Sequence, residues 1–291
     1  MTTLLPPPET RLSDLAPGAR RGAWLVLLLR RPAVIASLLV LALVVFIGLF
    51  GPQLSGYDPN DQAAERLLSP STAHLLGTDE LGRDLFTRVA VGIRVDLLVV
   101  LIAVPLALVI GSVLGMLSAA ARFTDTVIQR IFDVVLAFPP LILGLAVAAL
   151  LEPGLSAVLV TVVVADIPIF GRVLRTAVLE QRAREYVLAE RLIGVGRLRL
   201  YLRHVLPNSV GVLIVQGGLS ASLAVFLEGA LSFIGLGVRP PDPSLGGLLN
   251  GSLIFLGQSP LYALGPIVVI SALVLSFTAL ADAIQAHRLA R

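Results

Sequence analysis

Apolar residues along the 291-residue chain gather into six long runs separated by polar, arginine-bearing segments. The runs cover residues 33–51, 97–117, 131–151, 155–170, 210–234 and 261–281. A helix needs roughly 20 such residues to cross the hydrocarbon core of a bilayer. The fourth run is short as pure hydrophobe and is expected to extend through Leu174. The pattern predicts an all-α, polytopic membrane protein with six transmembrane helices. Pro105, Pro139, Pro140, Pro168 and Pro266 lie in or beside the runs. Each removes a backbone donor and kinks its helix, so several spans are expected to bend.

The polar segments carry patterns of their own. In the stretch 54–93, Thr78-Asp79-Glu80 reads as a helix N-terminus, and Leu81, Leu85 and Val89 then recur at i, i+4 and i+8. This predicts an amphipathic helix on the outer end of the bundle, offering Asp79, Arg83, Asp84 and Arg88 to a partner. After the fifth run, Gly235 and Gly237 end the helix, and Pro240, Pro241 and Pro243 enforce an extended turn before a short apolar segment at 248–256. That segment reads as a re-entrant or interfacial helix. Between the fourth and fifth runs, Ala183, Tyr186, Ala189 and Ile193 form a narrow stripe of small and apolar positions. Gly194 and Gly196 break it, Leu198, Leu202 and Val205 form a second stripe, and Pro207 closes it. The pattern predicts a helical hairpin over 176–207.

Charge fixes the orientation. All 22 basic residues are arginine. Five lie in the N-terminal tail (1–31), eight from Arg172 to Arg203, and Arg122, Arg130, Arg288 and Arg291 share their side of the membrane. Only Arg66, Arg83, Arg88, Arg94 and Arg239 fall on the other. By the positive-inside rule both termini and the hairpin are cytoplasmic. Lipid headgroups attract such arginines at about 1 kcal/mol each, but headgroup binding requires neither a small-residue stripe nor a glycine break. A soluble protein docked on the hairpin explains both.

Composition excludes several activities. Without lysine the chain has no P-loop, whose lysine reaches the β- and γ-phosphates, so any ATP hydrolysis of that kind comes from another polypeptide. There is no cysteine, and His74, His204 and His287 fall in three separate polar segments, so no metal site is expected. Gly218-Leu219-Ser220-Ala221 lacks the final glycine of an intramembrane serine protease motif, and no histidine lies in a run. The net charge of +3 follows from topology and is not a nucleic-acid signal. Acidic residues within or near the runs are Asp96, Asp133, Asp166, Glu228 and Asp282. A carboxylate at the bilayer centre costs about 2.5–3.5 kcal/mol on insertion scales, so such residues face a bundle interior or a wet path. Asp96 and Asp282, near run ends, read as structural. Asp133 has Arg130 one turn before it, and Glu228 is the deepest; these two are the candidates for a substrate pathway. An ion-driven secondary carrier remains an alternative at this point.

Three stretches carry a resemblance. Leu188-Ala189-Glu190, then Gly194, then His204-Val205-Leu206-Pro207 has the spacing of the cytoplasmic signature of ABC importer permeases. That signature runs Glu-Ala-Ala, three residues, Gly, nine residues, Ile-x-Leu-Pro; here Leu188, Glu190 and His204 replace its Glu, second Ala and Ile. Leu76–Arg88 is similar to the Leu-Gly-Thr-Asp-x-x-Gly-Arg-Asp segment of dipeptide and oligopeptide permeases of the C type. Leu231–Gly246 resembles the Leu-Ser-Phe-x-Gly-Leu-Gly-Val-x-Pro-Pro-x-Pro-Ser-x-Gly run of the same subunits. With Phe138-Pro139 in the third run, the resemblance spans about residues 30–285. It implies a type I ABC importer permease fold, with a first helix at 32–53 and a five-helix permease domain at 94–285. It also implies residence in a bacterial or archaeal cytoplasmic membrane. The implied partners are a second, B-type permease subunit, two ABC ATPase subunits that bind ATP and Mg, and an extracytoplasmic substrate-binding protein. The chain itself would carry no cofactor and no catalytic residue. The hairpin would couple to an ATPase through Tyr186, Ala189, Glu190, Gly194, Gly196 and Pro207. Relatives of this kind carry dipeptides, oligopeptides, glutathione or nickel, with peptide the commonest class.

Overall fold

The computed structural model describes residues 32–192, 196–200, 203 and 205–289. Among these the chain forms α1 (Pro32–Ser55), α2 (Leu85–Ala120), α3 (Arg122–Ala137), α4 (Pro140–Leu151), α5 (Leu155–Arg182), α6 (Glu185–Leu192), α7 (Arg197–Leu200), α8 (Leu206–Phe233), α9 (Leu245–Ser252) and α10 (Pro260–Leu289). No strand occurs among the described residues. Five helices, α1, α2, α5, α8 and α10, are each long and apolar enough to cross a membrane. The third run divides into α3 and α4, bent by 93° at Phe138-Pro139, and the pair counts as a sixth span. Pro139 cannot donate to a helix ladder and Pro140 starts α4, so the bend sits where the two prolines meet. At 12 residues, α4 rises only about 18 Å and does not span alone.

The long helices bury one side and leave the other apolar. On α1, Ile35, Leu39, Leu43, Phe46, Leu49 and Phe50 are exposed, while Val34, Val44, Gly48 and Gly51 are buried. Such a surface is compatible with lipid, since an apolar side chain gains nothing by leaving hydrocarbon for a protein interior. What holds the helices together is therefore close packing and polar contact.

The tightest contact is between α2 and α5. Gly111 and Gly115 of α2 lie four apart, against Gly171 of α5. A β-carbon on Gly115 would lie 2.3 Å from the Gly171 carbonyl oxygen, and one on Gly111 2.6 Å from that of Ile167. The backbones touch here, as small residues at this spacing allow. Phe132 of α3, 1% exposed, closes the joint from the third side, 2.5 Å from where a Gly171 β-carbon would stand.

The outer end is built differently. The helix expected to start at Thr78 does not form. Thr78 and Asp84 form an antiparallel bridge, and the helix begins at Leu85, where the Asp84 side chain accepts from the Thr87 N–H. Gly77 and Gly82 hold the turn at φ of +83° and +78°. Side chains at either would stand 2.1 Å from the Leu68 or Ala64 carbonyl oxygen, which only glycine avoids. Leu85 and Val89, expected on the stripe of a separate surface helix within 54–93, thus stand in the first turns of the 36-residue α2. The expected short segment near 248–256 is α9, continued by a 3₁₀ turn at Leu253–Phe255. It wedges between α2 and α8: a β-carbon on Gly246 would lie 2.0 Å from the Gly229 carbonyl oxygen.

Gly115→Val forces α2 and α5 apart, since its β-carbon meets backbone with no flexible side chain to yield; overpacking costs about 1–3 kcal/mol even in adaptable cores. The expected outcome is a lower thermal unfolding midpoint of the detergent-purified chain than for Gly217→Val, whose site is open.

Candidate functional site

At the cytoplasmic end, α5 continues past its apolar part to Arg182 and turns through Ala183 and Arg184 into α6. The hairpin expected from residue 176 therefore starts at 183. Arg172, Arg175 and Arg182, read as loop arginines, stand on α5 and point into the chain. Arg175 makes a bidentate pair with Asp125 of α3, both contacts 2.6 Å. Asp125 also accepts from Ser118 of α2 at 2.6 Å, and Gln129 donates to the same hydroxyl at 3.0 Å. Arg172 pairs with Asp133, which has Arg130 at 3.6 Å on its other side. Arg182 donates to the Ala119 carbonyl at 2.6 Å. The end of α5 is thereby tied to α2 and α3 within a few turns of the glycine joint. Planar, bidentate arginine–carboxylate pairs fix orientation as well as distance.

The hairpin sits on this base. Val187 of α6, Leu200 of α7 and Val205 are buried in the core that includes Leu174 and Val178 of α5. Tyr186 links three elements: its hydroxyl donates to Gln181 at 2.8 Å and accepts from Asn208 of α8 at 3.4 Å. Val205, expected on an outward stripe, faces the chain's own bundle because the stripe closes the helix pair onto α5. Ala189 and Glu190 lie on α6, and Pro207 stands exposed in the first turn of α8. Among the described residues α6 runs to Leu192 and α7 begins at Arg197, with Gly196 just before it outside any helix. Gly196 is exposed, with nothing within 4 Å of a β-carbon. Gly194 and His204 lie outside the described residues.

At the opposite end, the four residues expected to meet a partner are turned inward. Asp79, Arg83, Asp84 and Arg88 are 0%, 6%, 3% and 5% exposed. Asp79 accepts from the Leu81 and Arg83 N–H groups at 2.9 Å and pairs with the Arg83 side chain at 2.6 Å and with Arg88 at 3.3 Å. Arg88 donates to the Pro59 carbonyl at 2.7 Å and to that of Pro241 at 3.4 Å. Asp84 takes His74 at 2.9 Å and the Thr87 hydroxyl at 2.6 Å, and Tyr262 of α10 donates to Glu80. These bonds seal α2, α10 and the loops at 57–84 and 234–244 into one cap.

The acids of the spans separate into three settings. Asp133 is half exposed and paired with arginines. Beside it, Arg172, Val173, Thr176, Ala177 and Glu180 of α5 with Val212 of α8 line a cavity of about 350 Å³. Asp166 is enclosed and accepts from Ser220 at 3.1 Å. Glu228 is also enclosed, accepts from Ser232 at 2.7 Å, and faces Asp96 of α2. Asp96, read as a run-end residue, is 0% exposed because α2 starts twelve residues earlier than the apolar run. The sequence reading did not find the partnerships of Asp125 with Arg175 and of Asp96 with Glu228. Asp84 three residues before Thr87 was the available signal for the true start of α2.

Comparison with known proteins adds an independent line. Residues 98–289 match the family model described as binding-protein-dependent transport system inner membrane component. Residues 21–70 match the N-terminal TM domain of oligopeptide transport permease C. The chain is 35% identical over 282 residues to the dipeptide transport system permease protein DppC of Alkalihalophilus pseudofirmus, covering 96% of this chain and 92% of that one. It is 41% identical over 223 residues to the di/tripeptide permease DppC of Pseudomonas aeruginosa, 74% of each chain. It is also 34% identical over 268 residues to the glutathione permease GsiD of Pectobacterium atrosepticum, 91% of this chain and 89% of that one. Among solved structures, inward-facing MetNI methionine ABC transporter superposes with a TM-score of 0.56 at 17% identity, covering 69% of this chain and 94% of its own. That likeness shows the fold.

Truncating Asp79 leaves Arg83 and Arg88 buried without their shared carboxylate. Breaking a buried pair in this way costs about 3–5 kcal/mol. Asp79→Ala is expected to lower the chain's level in the membrane, read by quantitative immunoblot, far more than Asp58→Ala at an exposed site.

Proposed function

Because the chain belongs to the binding-protein-dependent transport system inner membrane components, we propose that it is the C-type permease subunit of an ATP-driven importer of short peptides. Its bundle forms half of the translocation pathway. Both termini and the α6–α7 hairpin lie in the cytoplasm, on the arginine-rich side. Two ATPase subunits bind ATP and Mg and do the hydrolysis, which a chain without lysine cannot carry out through a P-loop. A B-type permease completes the pathway, and a binding protein delivers the substrate from outside.

The observation that carries this reading is the joined course of α5. One helix runs from the membrane core, through the glycine joint and the arginine–aspartate pairs, directly into the hairpin. When ATP draws the ATPases together, a hairpin seated on one of them is displaced. The displacement reaches α2 and α3 because α5 is tied to both at its cytoplasmic end. Tyr186, Ala189, Glu190, Gly194, Gly196 and Pro207 remain the proposed coupling surface, with Gly196 the described position most open to a close backbone approach.

Peptide cargo is supported by the names of the relatives, which carry dipeptides, di- and tripeptides or glutathione. Those substrates share a free amino group and carboxylates. The open groove lined by Arg172 and Glu180 carries both signs of charge.

Gly196→Trp places a bulky side chain where the partner's backbone is expected. The variant is expected to reach the membrane at the wild-type level and assemble. Peptide uptake by whole cells should fall at least about tenfold, the equivalent of 1.4 kcal/mol. Uptake at the wild-type rate would contradict a coupling role for the hairpin tip.

A further inference from the structure

Asp96 and Glu228 approach each other from α2 and α8 beneath the wedge of α9. Both are 0% exposed. Their carboxyl groups lie within hydrogen-bonding reach of one another. Glu228 has one oxygen satisfied by Ser232, whose own oxygen accepts from the Val238 N–H at 3.2 Å. Its second oxygen and both oxygens of Asp96 have no donor. Among the described residues no counter-charge is at hand. The arginines of α2 are engaged elsewhere: Arg88 with Asp79 and the Pro59 carbonyl, Arg94 with the Gly48 and Leu49 carbonyls of α1. Apart from Glu228, α8 carries no charged residue, and α1 and α9 carry none. In α10 the titratable groups are Tyr262, bonded to Glu80, and Asp282, His287 and Arg288 far along the helix. In α5, Asp166 bonds Ser220.

Two facing carboxylates in a low-dielectric interior repel strongly, and each also loses its hydration. Adding one proton turns one carboxylate into a carboxylic acid, which supplies the missing donor and removes one of the two charges without adding a heavy atom. We propose that Asp96 and Glu228 form a proton-binding site inside the membrane, in which the O–H of one carboxyl donates to an oxygen of the other and joins α2 to α8. The site sits under the outer cap and away from the hairpin. Its ligand is the proton; neither acid is open to a peptide in this conformation. Removing the proton leaves two anions face to face, so alkaline conditions loosen the α2–α8 contact.

The test is infrared spectroscopy of the full chain in lipid nanodiscs, with thermal unfolding on the same samples. Asp166→Asn is used as the background, so that the other enclosed acid contributes no signal. At neutral pH a protonated-carboxyl C=O band is expected, shifted by deuterium and changed in Asp96→Asn and in Glu228→Gln, each read separately. On raising the pH the band is lost and the unfolding midpoint drops, while the Asp96→Asn/Glu228→Gln double variant keeps a flatter profile. Absence of the band in the background chain overturns the proposal, and that reading stands even if no pair variant folds. Equal alkaline loss in the double variant also overturns it, as does restoration of the alkaline midpoint by added sodium, which would make the site one for a metal cation.

Discussion

Backbone contact between α2 and α5 at Gly111, Gly115 and Gly171 is the constraint on which the rest of this structure depends. Helices in lipid gain little from burying apolar surface, so association rests on close approach and polar bonds. Three glycines bring two backbones to contact and leave Phe132 to close the third side. Once that joint is set, the cytoplasmic end of α5 lies against α2 and α3, where Arg175 meets Asp125, Arg172 meets Asp133 and Arg182 meets the Ala119 carbonyl. The hairpin inherits its position from α5. The outer cap is held by a separate set of bonds centred on Asp79 and Asp84.

This division suits a transporter subunit. The end that the proposed function gives the task of receiving a displacement is tied by charge pairs and backbone contact. The other end is closed by an internal network built on Asp79, Arg83, Asp84 and Arg88. Between them the spans are bent at Phe138-Pro139, where the 93° break lets α3 follow α5 while α4 lies against α5 and α8.

Much of this was legible in the chain. Long apolar runs announce spans whatever their neighbours are, the prolines at 139 and 140 locate the break, and Gly196 stands just before α7. What escaped was decided by residues far apart in sequence. Thr78-Asp79-Glu80 has the form of a helix start, yet the carbonyls of Ala64 and Leu68 crowd the glycines on either side of it and hold a turn instead. Moving the start of α2 to Leu85 put Asp96 three turns inside a helix, and only α8 could show that Glu228 stands opposite. Arginines counted as loop residues proved helical because Asp125 and Asp133, some forty to fifty positions earlier, neutralise them. Burial of Arg83, Asp84 and Arg88 was hidden for the same reason: on a helical wheel they look like a polar face.

The central claim is that α5 and its neighbours move as one body when the hairpin is displaced. Spin labels at Phe123 on α3 and Leu179 on α5, both exposed positions, measure it by pulsed electron-spin distance spectroscopy in the assembled importer. The account predicts an unchanged Phe123–Leu179 distance on adding a non-hydrolysable ATP analogue, while distances from Leu179 to the second permease shift. A change in the Phe123–Leu179 distance, with the inter-subunit distances fixed, would show that the joint absorbs the motion, and would contradict it.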